Sequence, residues 1–178
     1  MTNMKKTGLS QRAASIALVA FSLTLGACAS APFQDASLEG VDRDVTPAQV
    51  LSNPQAQQGK RVVWGGQIIS SQNLAGMTEL TVLAYPLDSR TTQPETDKAS
   101  LGRFIIQQNG YLETADYAPG RQVSVVGSIS GVRQASIGDA SYRYPVVQAQ
   151  QLHLWPKETE SSYRGSPFHF GVGVGIGL

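Results

Sequence analysis

A single thiol is the most reactive group this sequence offers, and its surroundings say what is done to it. Cys28 is the only cysteine of the 178 residues and follows Leu25-Gly26-Ala27. A thiol ionises far more readily than a serine hydroxyl, and the thiolate is the nucleophile in alkyl transfer. Small residues before it let the chain lie extended in a narrow protease cleft. Upstream, Met1 to Arg12 carries Lys5, Lys6 and Arg12 without an acid, and Ala13 to Leu25 is apolar except for Ser15, Ser22 and Thr24. A basic n-region, an apolar h-region and a small-residue site are the three parts of an export signal. The apolar run is shorter than the 18 or so residues that a membrane-spanning helix needs.

With those residues in view, Leu25 to Cys28 resembles the lipobox of bacterial lipoprotein precursors. That resemblance implies a signal peptide over 1–27, diacylglycerol joined to the Cys28 sulfur, cleavage before Cys28, and N-acylation (a palmitate-type chain) of the new amine. The covalent lipid takes the place of a cofactor and makes the membrane the first partner. Ala29 lacks the carboxylate that, in such lipoproteins, retains the chain in the inner membrane, so the resemblance favours the outer membrane with the domain facing the periplasm. Each buried methylene contributes ~0.8 kcal/mol, and several chains give a stable anchor where one does not.

Composition narrows the rest. Three of the 14 basic residues and none of the 13 acids precede Cys28, so the chain from Cys28 onward is slightly acidic. Lys60 to Pro156 holds eight basic and seven acidic residues, no basis for a cationic nucleic-acid groove. One cysteine allows no internal disulfide and no thiolate metal cluster. His153 and His169 have no neighbours at ligand spacing, and no Gly-x-Ser-x-Gly elbow or phosphate loop is present. A metal site and an enzyme activity are therefore not expected.

The elements that position these residues read as an all-β domain. Residues 28–45 are polar, with Pro32, Gly40 and four acids, and read as a flexible tether. Thr46 to Leu51 reads as one short helix with Thr46 as N-cap and Pro47 at its first position. Strands follow at Lys60–Ser70, Thr78–Leu87, Arg103–Gln107, Gln122–Ser130 and Arg143–Trp155, separated by turns rich in Gly, Ser and Asp. Leu80, Val82 and Ala84 share one face, as do Val123 and Val125, and Gly65-Gly66 permits a bulge or tight coiling. Five such strands without a long helix predict a small OB-like barrel over 46–157, with a β-sandwich as the alternative.

Val62-Val-Trp-Gly-Gly-Gln-Ile-Ile69, Val82-Leu-Ala-Tyr-Pro-Leu-Asp88, Gly102-Arg-Phe104, Gly120-Arg-Gln-Val-Ser-Val-Val-Gly127, Ile137-Gly-Asp139, Tyr142-Arg-Tyr-Pro-Val-Val147 and Leu154-Trp-Pro156 together resemble the Slp family of starvation-inducible outer-membrane lipoproteins. The resemblance spans roughly Thr46 to Pro156 and departs at Asp139, where the family pattern has a glutamate. It implies a non-enzymatic envelope protein linked to stress and stationary-phase survival, with envelope proteins or polymers as partners and no catalytic residues to carry over.

Four aromatic side chains are candidates for a ligand or partner face: Trp64, Tyr85, Tyr144 and Trp155. The functional reading is a stacking platform for sugars or bases; the packing reading is that the indoles plug the barrel ends. Tyr85-Pro86 and Tyr144-Pro145 are matched pairs, and proline's missing donor places them at an edge, where the barrel is expected to open. Arg103, Arg121, Asp88, Asp116 and Asp139 read as turn and surface residues. In the Gly-rich tail, 158–178, Phe168 to Leu178 alternates apolar residues with His169 and four glycines. Such a ribbon stays mobile, or adds to a sheet edge and self-associates, with a bilayer-crossing strand of an oligomeric barrel as the further alternative.

Overall fold

The computed structural model describes residues 32–157. The leader, Cys28 and the 158–178 tail lie outside the described residues, and the expectations placed on them carry over as sequence readings. The strands are β1 (Arg61–Leu74), β2 (Met77–Ala84), β3 (Arg103–Asn109), β4 (Gln122–Ile137) and β5 (Ala140–Leu154). They close into a barrel in the order β1-β2-β3-β5-β4, and β4 returns to β1. Every pairing is antiparallel except the short parallel ladder of β3 with β5, Ile105↔Val146 to Gln107↔Gln148. This is the five-stranded Greek-key arrangement of an OB-like barrel, and closure removes the sandwich alternative.

Alternation writes the core. Leu80, Val82 and Ala84 of β2, Phe104 and Ile106 of β3, Val123 and Val125 of β4 and Val147 of β5 all point inward and are buried. Gly66 shows how tightly β1 coils: a Cβ there would sit 1.9 Å from the Leu83 carbonyl oxygen. The coiling continues into a register shift between Ile68 and Ser70. Leu112 and Tyr117 of the β3–β4 connection pack against the same core.

Among the described residues, three short helices precede the barrel: α1 (Asp35–Leu38), α2 (Pro47–Ser52) and α3 (Pro54–Gln57). Only α2 is legible from the sequence. Its Thr46 side chain accepts from the Gln49 amide while the Gln49 side chain accepts from the Thr46 amide, a reciprocal capping box. It ends before Pro54, which opens α3 under an Asn53 cap. Within the segment read as a tether, the chain is docked from Phe33 onward. Phe33 is 3 % exposed against Val63 and Val126, Asp42 bridges to Val62, and Arg61 donates to the carbonyls of Ser37 and Glu39. Leu38 and Val41 pack on the same cluster, so several contacts hold the segment.

The β4–β5 hairpin is longer than the sequence predicts. Residues 131–145 run beyond the barrel as a paired arm that turns at Gly138-Asp139. Tyr144 and Val146 bury Ile105 on the outer side of β3, with Tyr142 and Ala135 packed on that cluster. Arg133 forms a two-pronged ion pair with Glu79 of β2, at 2.7 and 2.5 Å. The Arg133 guanidinium, and then the Gln107 amide, hold the Glu79 carboxyl below its usual range against the opposing effect of burial; Glu79 in turn raises Arg133.

Candidate functional site

Trp64 and Tyr85 come together; the other two aromatic candidates do not join them. Trp64 of β1 is 5 % exposed, edge-on to Phe104 at 5.2 Å between ring centres, and its indole N–H donates to the Val45 carbonyl at 2.7 Å. Burying an indole removes roughly 150–250 Å², worth about 4–6 kcal/mol at 25 cal/mol/Å². Packing is thus its first role, and the hydrogen bond seats Val45 above it. One surface of Trp64 nonetheless faces a cavity of about 320 Å³. The cavity lies between the barrel wall and two segments, Arg43 to Pro47 and Tyr85 to Ser89.

Each wall has a local cause. Tyr85 is half-buried, its amide bonded to the Gly65 carbonyl, just past the end of β2. Gly65 is required there: a Cβ would lie 2.7 Å from the Val123 carbonyl oxygen and 2.9 Å from Leu87 Cδ2. Leu87 therefore closes down on bare backbone, and Leu101, bonded through its amide to the Ala84 carbonyl, supplies a further wall. The turn after Leu87 is shaped by Asp88, whose carboxylate accepts from the Thr91 amide, the Thr91 hydroxyl and the Arg90 amide. Those bonds, the Thr91 amide first, hold the Asp88 carboxyl below its usual range.

Trp155 acts on this loop from a distance. Its indole N–H donates to Ser124 Oγ at 2.9 Å, and Ser124 Oγ donates to the Thr92 carbonyl at 2.6 Å. Thr92 is buried at φ 63, a left-handed conformation that a β-branched residue rarely holds without support. Trp155 therefore belongs to the scaffold of the rim. His153, edge-on to both Trp155 (4.5 Å) and Phe33 (6.3 Å), has its pKa pushed down by burial.

Tyr144 lies in the outer cluster over Ile105, 5 % exposed and 4.8 Å from Tyr142. The Tyr-Pro pairs do not mark an opening, because the barrel is closed. Pro145 sits opposite Val132 on the stretch of β5 before its β3 partner begins at Val146, where a missing N–H costs no ladder bond to β3. Arg121, read as solvated, donates to the carbonyls of Asp116 and Trp155, and Asp139 is exposed in the arm's turn. No group of three or more His, Cys, Asp or Glu suited to a metal occurs among the described residues. What sequence reasoning missed is Arg43, Val45, Leu87 and Leu101; only the apolar character of the last three was visible.

The model of the outer membrane lipoprotein Slp family matches residues 25–172. The uncharacterized lipoprotein YeaY of Escherichia coli is 34 % identical over 139 residues, 76 % of this chain and 68 % of that protein. An uncharacterized protein of Haemophilus influenzae is 36 % identical over 104 residues, 58 % of this chain and 56 % of its own length, so the match spans about half of that relative. Among solved structures, a mitochondrial single-stranded DNA binding protein from S. cerevisiae aligns at TM-score 0.34 and 10 % identity, over 55 % of this chain and 95 % of its own. A small single-stranded DNA-binding protein from Streptomyces coelicolor aligns at 0.34 and 19 % identity, over 54 % and 94 %.

Proposed function

The chain belongs to the outer membrane lipoprotein Slp family, and from that premise we propose that it is anchored through lipid on Cys28, faces the periplasm, and serves as a non-enzymatic docking module for envelope proteins or polymers under stress. The observation that carries this reading is where the family match begins: at residue 25, in the Leu25-Gly26-Ala27-Cys28 stretch itself. Phe33, the first buried residue among the described ones, is five residues beyond Cys28, so lipid on Cys28 would keep Phe33 within roughly 18 Å of the anchored residue at most. Such a tether suits a module that works at the membrane surface. The near balance of charge between Lys60 and Pro156 supports no role in nucleic-acid binding.

Replacing Cys28→Ser tests the anchor: the protein should leave the outer-membrane fraction, and unchanged retention there defeats the reading. Crosslinking in intact envelopes, followed by pull-down, should then capture envelope components with the wild type and not with the released variant. Turnover of an envelope substrate by the purified protein, lost on mutation of one polar cluster, would overturn the non-enzymatic part.

A second reading is favoured by one observation, that Trp64 and Tyr85 line the same 320 Å³ cavity. Its size falls within the range of small-molecule sites, about 300–1,000 Å³. On this reading the barrel carries a small ligand. Thermal-shift screening against glycans, nucleotides and lipids should give at least one response that Tyr85→Ala weakens; silence across all three classes removes it.

A further inference from the structure

The second reading leaves the ligand's chemistry open, and the cavity's walls constrain it. Val45, Val63, Trp64, Leu87 and Leu101 make them largely apolar. A glycan site needs several hydrogen-bonding groups converging on the ligand. Here the side-chain candidates are few, and one of them, Thr46, is committed to capping α2. Among the described residues, Arg43 is the only charged side chain in the lining. It is exposed and has no ion-pair partner among the described residues. Two carboxylates flank it in the chain: Asp42 Oδ1 accepts from the amides of Asp44 and Val45 and its Oδ2 faces Lys60 at 3.7 Å, while exposed Asp44 forms no ion pair with Arg43 among the described residues.

Position supplies the second argument. Val63 and Leu87, two of the cavity's walls, also belong to the cluster that seats Phe33. Phe33 is five residues from Cys28. An apolar cavity with one unpaired cation is thus built beside the point where the chain arrives from the lipid-bearing end. Resting on the ligand-carrying reading above, we propose that this cavity receives the alkyl chain of a long-chain carboxylate drawn from the membrane, with its head group at Arg43. The alkyl chain replaces water against the indole and the aliphatic walls, and the guanidinium meets the carboxylate at the rim, a pairing for which arginine's fork is suited.

The test does not need the anchor. The core clusters of the described residues lie between Phe33 and Leu154 and the strands between Arg61 and Leu154, so residues 29–178 made without the leader keep the whole barrel. Calorimetric titration with dodecanoate, below its micelle concentration, should show saturable binding at one site. Arg43→Glu, which alters an exposed side chain, should weaken it at least ~10-fold, the equivalent of one charged hydrogen bond. Leu101→Trp, which fills the cavity, should abolish it. No dodecanoate binding, or binding unchanged in either variant, overturns the proposal. If dodecanoate fails while a maltooligosaccharide binds and is lost in Leu101→Trp, the ligand class falls and the cavity still stands as a ligand site. If nothing binds, both fall. None of these outcomes depends on whether Cys28 carries lipid.

Discussion

Tyr85-Pro86 and Tyr144-Pro145 are the same dipeptide in two unlike settings. The first follows the end of β2, where the Asp88 turn and the Thr92–Ser124–Trp155 chain of hydrogen bonds shape a loop that rests on Gly65 through Leu87 and still borders a cavity. The second lies within β5, where the arm folds over Ile105 and the tyrosine becomes the packing. In both, proline reports that a backbone donor is not needed. What becomes of the tyrosine depends on what crosses above it, a loop in one case and a clamped hairpin in the other. One region is built to leave volume and the other to remove it.

The largest effect should come from emptying the packed region. Tyr144→Ala removes a ring that is 5 % exposed, and by analogy with other buried aromatic truncations it should cost about 3 kcal/mol in urea unfolding. A loss below about 1 kcal/mol would mean that the arm does not depend on this ring. Arg133→Ala should cost about 2 kcal/mol, since it strips a largely covered Glu79 carboxylate of its charged partner. It should also change the pH profile. The folded carboxyl of Glu79 is held below its unfolded value, so its stabilisation is present above the unfolded value and fades as pH falls through the folded one. The wild type should lose that increment on acidification, and Arg133→Ala should show little of it. Parallel acid profiles for the two proteins would contradict the pairing.

Smaller effects belong to the cavity side. Ser124→Ala leaves the Trp155 N–H and the Thr92 carbonyl without their shared partner, for about 1–2 kcal/mol. It should raise amide exchange across residues 87–93 more than across the arm; the reverse pattern would detach the loop from Trp155. Tyr85→Ala, at the rim, should cost less than about 1 kcal/mol yet weaken the ligand response that Tyr144→Ala spares. If the two tyrosine variants behave alike in both stability and binding, the contrast between the regions is wrong.

Much of the barrel was legible because alternation and turn residues are local. Leu80, Val82, Ala84, Val123 and Val125 could be assigned to one interior from spacing alone, and Thr46-Pro47 declared its helix. The arm was not legible, since Gly131, Ser136 and Gly138 look like turn residues until Tyr142 and Tyr144 are known to fold over β3. Nor was the docking of Phe33, one apolar residue among polar ones whose partners, Val63 and Val126, lie far along the chain. The candidate site was half visible. Trp64 and Tyr85 stood out by type, whereas Arg43 owes its interest to an apolar cavity assembled from distant segments, which no local pattern encodes.

The anchor bears most directly on the whole account. Mass spectrometry of the N-terminal peptide from the mature protein in outer-membrane fractions decides it. The account predicts a chain that starts at Cys28 and carries S-diacylglycerol and N-acyl mass. An unmodified thiol, or a mature chain that begins elsewhere, would contradict it.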